Sequence, residues 1–214
     1  GNTGGAVDVQ HRFNQQLTGN FALIFSQYRF KNSDEQVPSA GYEHAYKIDH
    51  YELKTDFSRI STGKHRFSFG FHAIYYRLDR GRLEPYGKAS LRDPLDLGRE
   101  NGVETALYLA DEITLSDRLT AYAGLRLSGF LALGPSTVLS YSPGMPRQEE
   151  NILDTLYFSK GEIIQTYYGL EPRLNLRYLV ASNSSLKLSY NRGYQYLFML
   201  SNTVAAAPTD QWKL

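Results

Sequence analysis

"LYLADEITLSDRLTAYAGLRL", residues 107–127, reads as two strands around a tight turn. Counting outward from Ser116, Asp117 and Arg118 sets Leu115 opposite Leu119, Ile113 opposite Ala121, Leu109 opposite Leu125 and Leu107 opposite Leu127, so the apolar side chains share one face. Glu112, Thr114, Thr120, Tyr122 and Arg126 occupy the other. In a soluble sandwich the apolar face points into a core; in an outer-membrane barrel it points out to lipid and the polar face lines a wet lumen. One hairpin is compatible with both. Asp111 interrupts the apolar face opposite Ala123, and a local β-bulge is the expected accommodation.

Working outward, period-two alternation marks eight candidate strands, at about residues 6–14, 19–30, 46–59, 65–79, 103–115, 118–132, 163–180 and 185–199. Helical periodicity is not convincing in any segment. The expected fold is therefore all-β, an antiparallel up-and-down meander of about eight strands. Several runs exceed the five or six residues usual in globular strands, which favours a barrel. The connections say more. "NQQLTG", "ISTGK", "SD" and "ASNS" are short turns rich in Ser, Thr, Asn and Gly, whereas the alternate connections, about 31–45, 80–102 and 133–162, are long and contain Pro, Gly and charge. In a meander every second connection lies at the same end of the sheet, so short turns gather at one end and long loops at the other. Greek-key sandwiches have no reason to sort their loops; outer-membrane barrels do.

The third and fourth strands repeat the pattern. A turn centred on Thr62 pairs Phe57 with Phe67, Thr55 with Phe69, Leu53 with Phe71 and Tyr51 with Ala73, and the same face turns polar at Lys47 and Arg77. Across the sheet, Ser58 pairs with Arg66, Asp56 with Ser68, Lys54 with Gly70 and Glu52 with His72. An apolar stripe of limited height, ended by Tyr and then charge, matches a hydrocarbon band of about 25 Å. In the last hairpin Leu174, Leu176, Tyr178 and Val180 share a face with Leu186, Leu188, Tyr190 and Arg192, opposite Arg173, Asn175, Arg177, Lys187, Ser189 and Asn191. The apolar face is read as lipid-facing.

Composition narrows the function classes. With 23 Lys plus Arg against 22 Asp plus Glu the chain is +1, without the concentrated positive field that nucleic acid requires, so no nucleic-acid partner is expected. Zero cysteines exclude disulfides and thiolate metal sites. Seventeen Tyr and eleven Phe suit strands and aromatic girdles. No run of about 18 apolar residues could form a membrane-spanning helix. The opening "GNTGGAVDVQ" lacks the basic-then-apolar pattern of a secretory leader.

Chemistry-bearing residues are dispersed. Among His11, His44, His50, His65 and His72 no pair has the spacing of a helical metal motif; His50 and His72 fall on the polar face near Glu52, where ordinary lumen polarity outweighs a metal site. Asp93, Asp96 and Glu100 in the second long loop, and Glu149, Glu150 and Asp154 in the third, read as solvated loop charge in preference to catalytic carboxylates or calcium ligands. "GKH" at residues 63–65 lacks the rest of a phosphate loop, no Gly-x-Ser-x-Gly elbow occurs, and the sequon at Asn183 is turn chemistry. Tyr86, Tyr141 and Tyr157 are loop aromatics within reach of a ligand, without being nominated as sites. No catalytic residue, metal ligand or cofactor is expected, and the protein is not read as an enzyme.

"ALYLADEITLSDRLTAYAGLRLS" followed by "YYGLEPRLNLRYLVASNSSLKLSYNRGYQYLFMLSNTVAAAPTDQW" resembles the barrel of TonB-dependent outer-membrane receptors, in which a strand, a short turn and a "GLR" strand precede an "EPR" strand and an "LKLSYNR" strand. The resemblance covers about residues 100–212. It implies a barrel of about 22 strands with an N-terminal plug, in the bacterial outer membrane, importing a scarce nutrient (iron chelate, haem, vitamin or glycan) with energy delivered through TonB. Residues 1–214 would then be an internal part of that barrel, without plug domain or terminal strand, and its partners in the intact protein would be the lipid bilayer, the plug, TonB and a small-molecule nutrient. The alternatives are a complete eight-stranded outer-membrane protein serving as adhesin or pore, and a soluble ligand-binding β-barrel. An isolated piece would carry unpaired edge strands and an apolar face without lipid, so in detergent-free solution it is expected to self-associate. Analytical ultracentrifugation checks this, and a monomer stable to dilution without amphiphile would favour the soluble barrel.

Overall fold

The computed structural model describes residues 1–61, 63–200 and 211–214. One sheet dominates, following the chain in the order β1 (Asn2–Arg12), β2 (Leu17–Asp34), β3 (Tyr42–Ser61), β4 (His65–Pro85), β6 (Arg99–Ser116), β7 (Leu119–Leu133), β10 (Ile163–Ala181) and β11 (Ser184–Asn191), with the short β5 (Leu95–Asp96) on β4. Every pairing is antiparallel. β1 and β11 are the two ends of the path, so the sheet is an open arc. Because the long strands follow one another without a crossover, the short turns lie at one end and the connections 35–41, 86–98 and 134–162 at the other, as the loop alternation requires. The third connection, expected as a long loop, carries its own ribbon, β8 (Ser136–Tyr141) with β9 (Ile152–Phe158). A further small ribbon pairs β12 (Phe198–Leu200) with β13 (Gln211–Lys213).

Exposure is inverted relative to a soluble sheet. Leu107, Leu109, Leu125 and Leu127 are 58, 59, 48 and 50% exposed, whereas Ser128 and Glu171, on the opposite face, are 1 and 4% exposed. Val7, Leu23, Leu53, Leu170, Leu174, Leu176 and Leu188 join the exposed apolar face. Ala22, Leu78, Ala106, Ala110 and Phe130 are buried with the polar residues on the inner face. That face is concave, because its side chains reach past an intervening strand: Tyr108 on β6 donates to Asp56 on β3 at 2.6 Å, across β4.

The outer apolar face has a definite height. On β3 and β4 it begins at Tyr51 and Tyr75, whose rings stack at 6.1 Å, and runs to Phe57 and Phe69, stacked at 5.2 Å. Asp49 with Arg77 closes one end and Arg59 the other. About ten residues separate Asp49 from Arg59, which at about 3.3 Å per residue and a tilt near 40° is roughly 25 Å of height. On β10 and β11 the band is displaced toward the short turns and runs from Leu170 to Val180 and Leu186. A level hydrocarbon belt crossing tilted strands produces this diagonal drift.

Four local expectations change. The β3–β4 register centres on Gly63, not Thr62, so Phe57 faces Phe69, Thr55 faces Phe71, Leu53 faces Ala73 and Tyr51 faces Tyr75; Lys54 faces His72 and Glu52 faces Ile74. Gly63 at φ 68° supplies the left-handed residue of the turn, and a slip of two leaves every side chain on its expected face. In the opening hairpin Leu115 does not meet Leu119; the register shifts between Thr114 and Ser116, and Ser116 faces Leu119. Asp111 lies opposite Ala123 in regular ladder, without a bulge, and accepts from the His65 ring on the neighbouring strand β4 at 2.7 Å. The strand expected over 185–199 ends at Asn191. Pro172 accepts from the Arg192 N–H at 3.2 Å but has no N–H to return, so the β10–β11 ladder stops there.

Several strands are longer than alternation predicted. β2, β3, β4 and β6 continue beyond the apolar band toward the long loops, where Phe30 faces Tyr46 and Lys31 reaches Glu43 at 2.9 Å. Tyr42, His44, Ile48 and Leu78 are buried there among polar neighbours, so the pairing persists after strict alternation has lapsed. Between Ala45 and Lys47 the β3–β4 register shifts around Gly81 at φ 75°, and the Arg80 carbonyl exposed by this bulge meets the His44 ring at 2.8 Å.

With Leu125 in the apolar band and Lys54 on the inner face, Leu125→Arg in the intact receptor is expected to cost about 2–4 kcal/mol near the bilayer midplane, and Lys54→Ala far less. Folding equilibria in lipid vesicles measure both, and greater sensitivity at Lys54 would mean the sheet is inside out.

Candidate functional site

The concave face carries the densest polar chemistry, a chain of charge across β3, β4, β6, β7 and β10. Asp56 accepts from Tyr108 at 2.6 Å and pairs with His72 Nε2 at 2.8 Å. His72 Nδ1 lies 3.2 Å from the Arg126 guanidinium, which reaches Glu104 at 3.8 Å and Glu171 at 3.5 Å. Arg173 approaches Glu171 from the next rung at 3.7 Å. The backbone pairing explains the convergence: Gly70, Tyr108, Arg126 and Glu171 form one continuous rung, with Asp56 at its β3 end. A Cβ at Gly70 would stand only 2.8 Å from the Tyr108 ring and closer still to the Thr55 carbonyl oxygen, so glycine makes room for both. A linked set of hydrogen bonds and ion pairs between opposite charges in a low-dielectric wall presents ordered dipoles to whatever fills the lumen.

After Arg192 the chain turns inward over this wall. The Tyr194 N–H donates to Glu171 Oε1 at 3.3 Å, Tyr194 lies against Gly169, and Tyr196 stacks on Phe130 at 5.3 Å while its hydroxyl meets Ser128 Oγ at 3.0 Å. Alternation alone predicts a strand through these residues. The available signal was Pro172, which ends the ladder, together with Gly193 just after the departure point.

His50 and His72, read from sequence as neighbours of Glu52, are not brought together. His50 pairs with Glu52 at 3.1 Å, two rungs from His72, which turns to Asp56 and Arg126. Among the described residues no three His, Asp or Glu side chains are placed to hold a metal ion. The loop carboxylates are dispersed. Asp96 accepts from the Gly98 N–H at 2.8 Å, Asp154 from the Thr155 N–H at 2.7 Å, Glu100 pairs with Arg80 at 3.6 Å, and Glu149 and Glu150 sit in a single 3-10 turn. Asp93 lines a shallow recess with Arg92 and Glu84.

At the long-loop end the first two connections are tied together. Ser90 Oγ donates to the Gly41 carbonyl at 2.6 Å, Arg92 Nε to the Ala40 carbonyl at 2.6 Å, and the Leu91 N–H to the Ser39 carbonyl at 3.0 Å. Arg92 also covers the Tyr42 ring at 5.2 Å; burial, then the nearby Asp34 carboxylate, raises the Tyr42 phenol above its ordinary range. Tyr86 and Tyr157, at 41 and 78% exposure, face solvent, the second on the separate β8–β9 ribbon.

A family profile described as TonB dependent receptor-like, beta-barrel, matches residues 1–211. The chain belongs to the TonB-dependent receptor β-barrel family. Among solved structures it is similar to the closed form of the ferric-catecholate import receptor Fiu from E. coli K12, with 12% identity and a TM-score of 0.56, covering 89% of this chain and 32% of that one. The open form of Fiu gives 13% identity and a TM-score of 0.54, covering 89 and 35%. At this identity the likeness is one of fold, and this chain spans about a third of the receptor's length. No similar sequence is found among curated proteins. For a TonB-dependent receptor barrel, the concave polar face is the lumen wall and the exposed apolar face the membrane side.

Arg126 joins two carboxylates that are mostly shielded from water, so Arg126→Met should destabilise the wall by about 3 kcal/mol, because Glu104 loses its cation and is left beside Glu171, which keeps only Arg173. Arg126→Met with Glu171→Gln should recover part of that loss in the same unfolding measurement. Equal cost in the single and double variants would show that the network is not coupled.

Proposed function

We propose that this chain is a stretch of transmembrane barrel wall in a receptor that imports a scarce nutrient across the bacterial outer membrane, energised through TonB. The observation that carries the reading is the exposure inversion: a belt of Leu and Phe of bilayer height faces outward, while Glu, Arg, His and Asp pair on the inside. In the intact receptor the inner network would face a plug domain, and the tied loops and the β8–β9 ribbon would stand on the extracellular side. The open arc supports a place within a wider barrel over a complete eight-stranded protein, since β1 and β11 do not pair. The nutrient is an iron chelate, haem, a vitamin or a glycan. The ferric catecholate named for Fiu is the first to test.

The full-length receptor, expressed in a host with and without functional TonB, should fractionate with the outer membrane and take up its nutrient only when TonB works. Uptake of labelled ferric catecholate, haem, cobalamin and oligosaccharide by each strain identifies the substrate class. Transport unaffected by loss of TonB would reject the mechanism.

A further inference from the structure

The membrane face is uneven where it crosses β1 to β4. Gly5, at the β1 end of the Phe25–Tyr51–Tyr75 rung, and Ala73, at the β4 end of the Leu23–Leu53 rung, are the low points of an apolar trough of about 710 Å³. Immediately toward the long loops, on the same face, come two cross-strand rungs, Gln27–Asp49–Arg77 and then Arg29–Lys47–Asp79–Arg99. These rungs set four cations against two carboxylates. Asp49, with no solvent exposure, is shared by Lys47 at 3.1 Å and Arg77 at 2.8 Å and accepts from Gln27 at 2.6 Å; Asp79 holds Arg99 at 2.9 Å. No carboxylate lies within ion-pair distance of the exposed Arg29 among the described residues, and Arg29 faces Lys47 directly across the ladder. Like charges set opposite one another destabilise a sheet unless an anion lies between them.

We propose that this patch binds one phosphorylated, acylated lipid of the outer leaflet, with an acyl chain in the trough and a phosphate between Arg29 and Lys47. The inference rests on the barrel-wall reading above, which makes the long-loop end extracellular. The guanidinium fork and the ammonium are donors suited to phosphate oxygens, and they stand just beyond the tyrosines that mark the interface, at headgroup level. The low floor beneath them accepts a chain that a flat belt would only brush. Arg59 stands at the opposite edge of the belt, opposite Leu17 and far along β3 from Lys47.

The test uses the full-length receptor in nanodiscs of zwitterionic phospholipid doped with lipid A or with dephosphorylated lipid A, and counts lipid retained after mild delipidation by native mass spectrometry. The wild type should retain the phosphorylated form about tenfold better. Arg29→Gln with Lys47→Gln should abolish that preference and Arg59→Gln should preserve it. Ala73→Phe, which fills the trough and leaves the charges in place, should reduce retention of both forms. Equal retention of the two lipids by the wild type, or an undiminished preference in the double variant, would overturn the proposal. A receptor that does not enter the nanodisc at all would reject the barrel-wall reading itself.

Discussion

Backbone hydrogen bonding is the constraint on which the rest depends. In hydrocarbon no water satisfies a free N–H or C=O, so a chain that crosses a bilayer as strands must pair every one of them with its neighbours. The unbroken ladders between β2, β3, β4, β6 and β7 meet that demand through the whole height of the apolar band. Irregularities fall outside it: the shift around Gly81 stands beyond the Asp49–Arg77 rung, and the one at Leu115 lies beside the short turn. Pro172 is informative for the same reason. It withdraws one donor, the last ladder ends at that point, and the chain becomes free to leave the sheet.

Given the ladder, pleating does the rest. Alternate side chains must go to opposite faces, and the two faces meet opposite solvents, so every strand carries two incompatible sequences at once. On the outside, Phe57 on Phe69 and Tyr51 on Tyr75 build ridges from cross-strand aromatic pairs. On the inside, Arg126 between Glu104 and Glu171, and His72 between Asp56 and Arg126, satisfy charges that could not be left single in a wall only one strand thick. The Asp111–His65 pair shows the limits of the division. It stands on the outer face at the edge of the belt, where a neutralised polar pair is tolerable and a lone carboxylate would not be.

The two small structures that interrupt the meander both occupy ends of strands. The β8–β9 ribbon extends the third connection away from the sheet, and residues 192–196 fold onto the lumen wall through Tyr194 and Tyr196. They place aromatic rings beyond the apolar belt and on the lumen wall respectively. The tie between the first two long connections, through Ser90 and Arg92, gives the same end of the sheet a stiff rim.

The sequence by itself determined the strand faces, the antiparallel meander and the sorting of short turns from long loops. These follow from a period of two and from turn residues, which act between neighbours in the chain. It also carried the inside-out polarity, once Lys47 and Arg77 were seen to end a stripe of Phe, Leu and Tyr. Tertiary structure decided what depends on strands far apart in sequence. The register around Gly63 was open because slips of two keep the same faces. The joining of Asp56, His72, Tyr108, Arg126 and Glu171 needed the curvature of five strands, which no single hairpin encodes. The shielding of Asp49 needed β2, β3 and β4 together. The inward turn of Tyr194 and Tyr196 needed a cavity to turn into, and that cavity exists only after the sheet has curled.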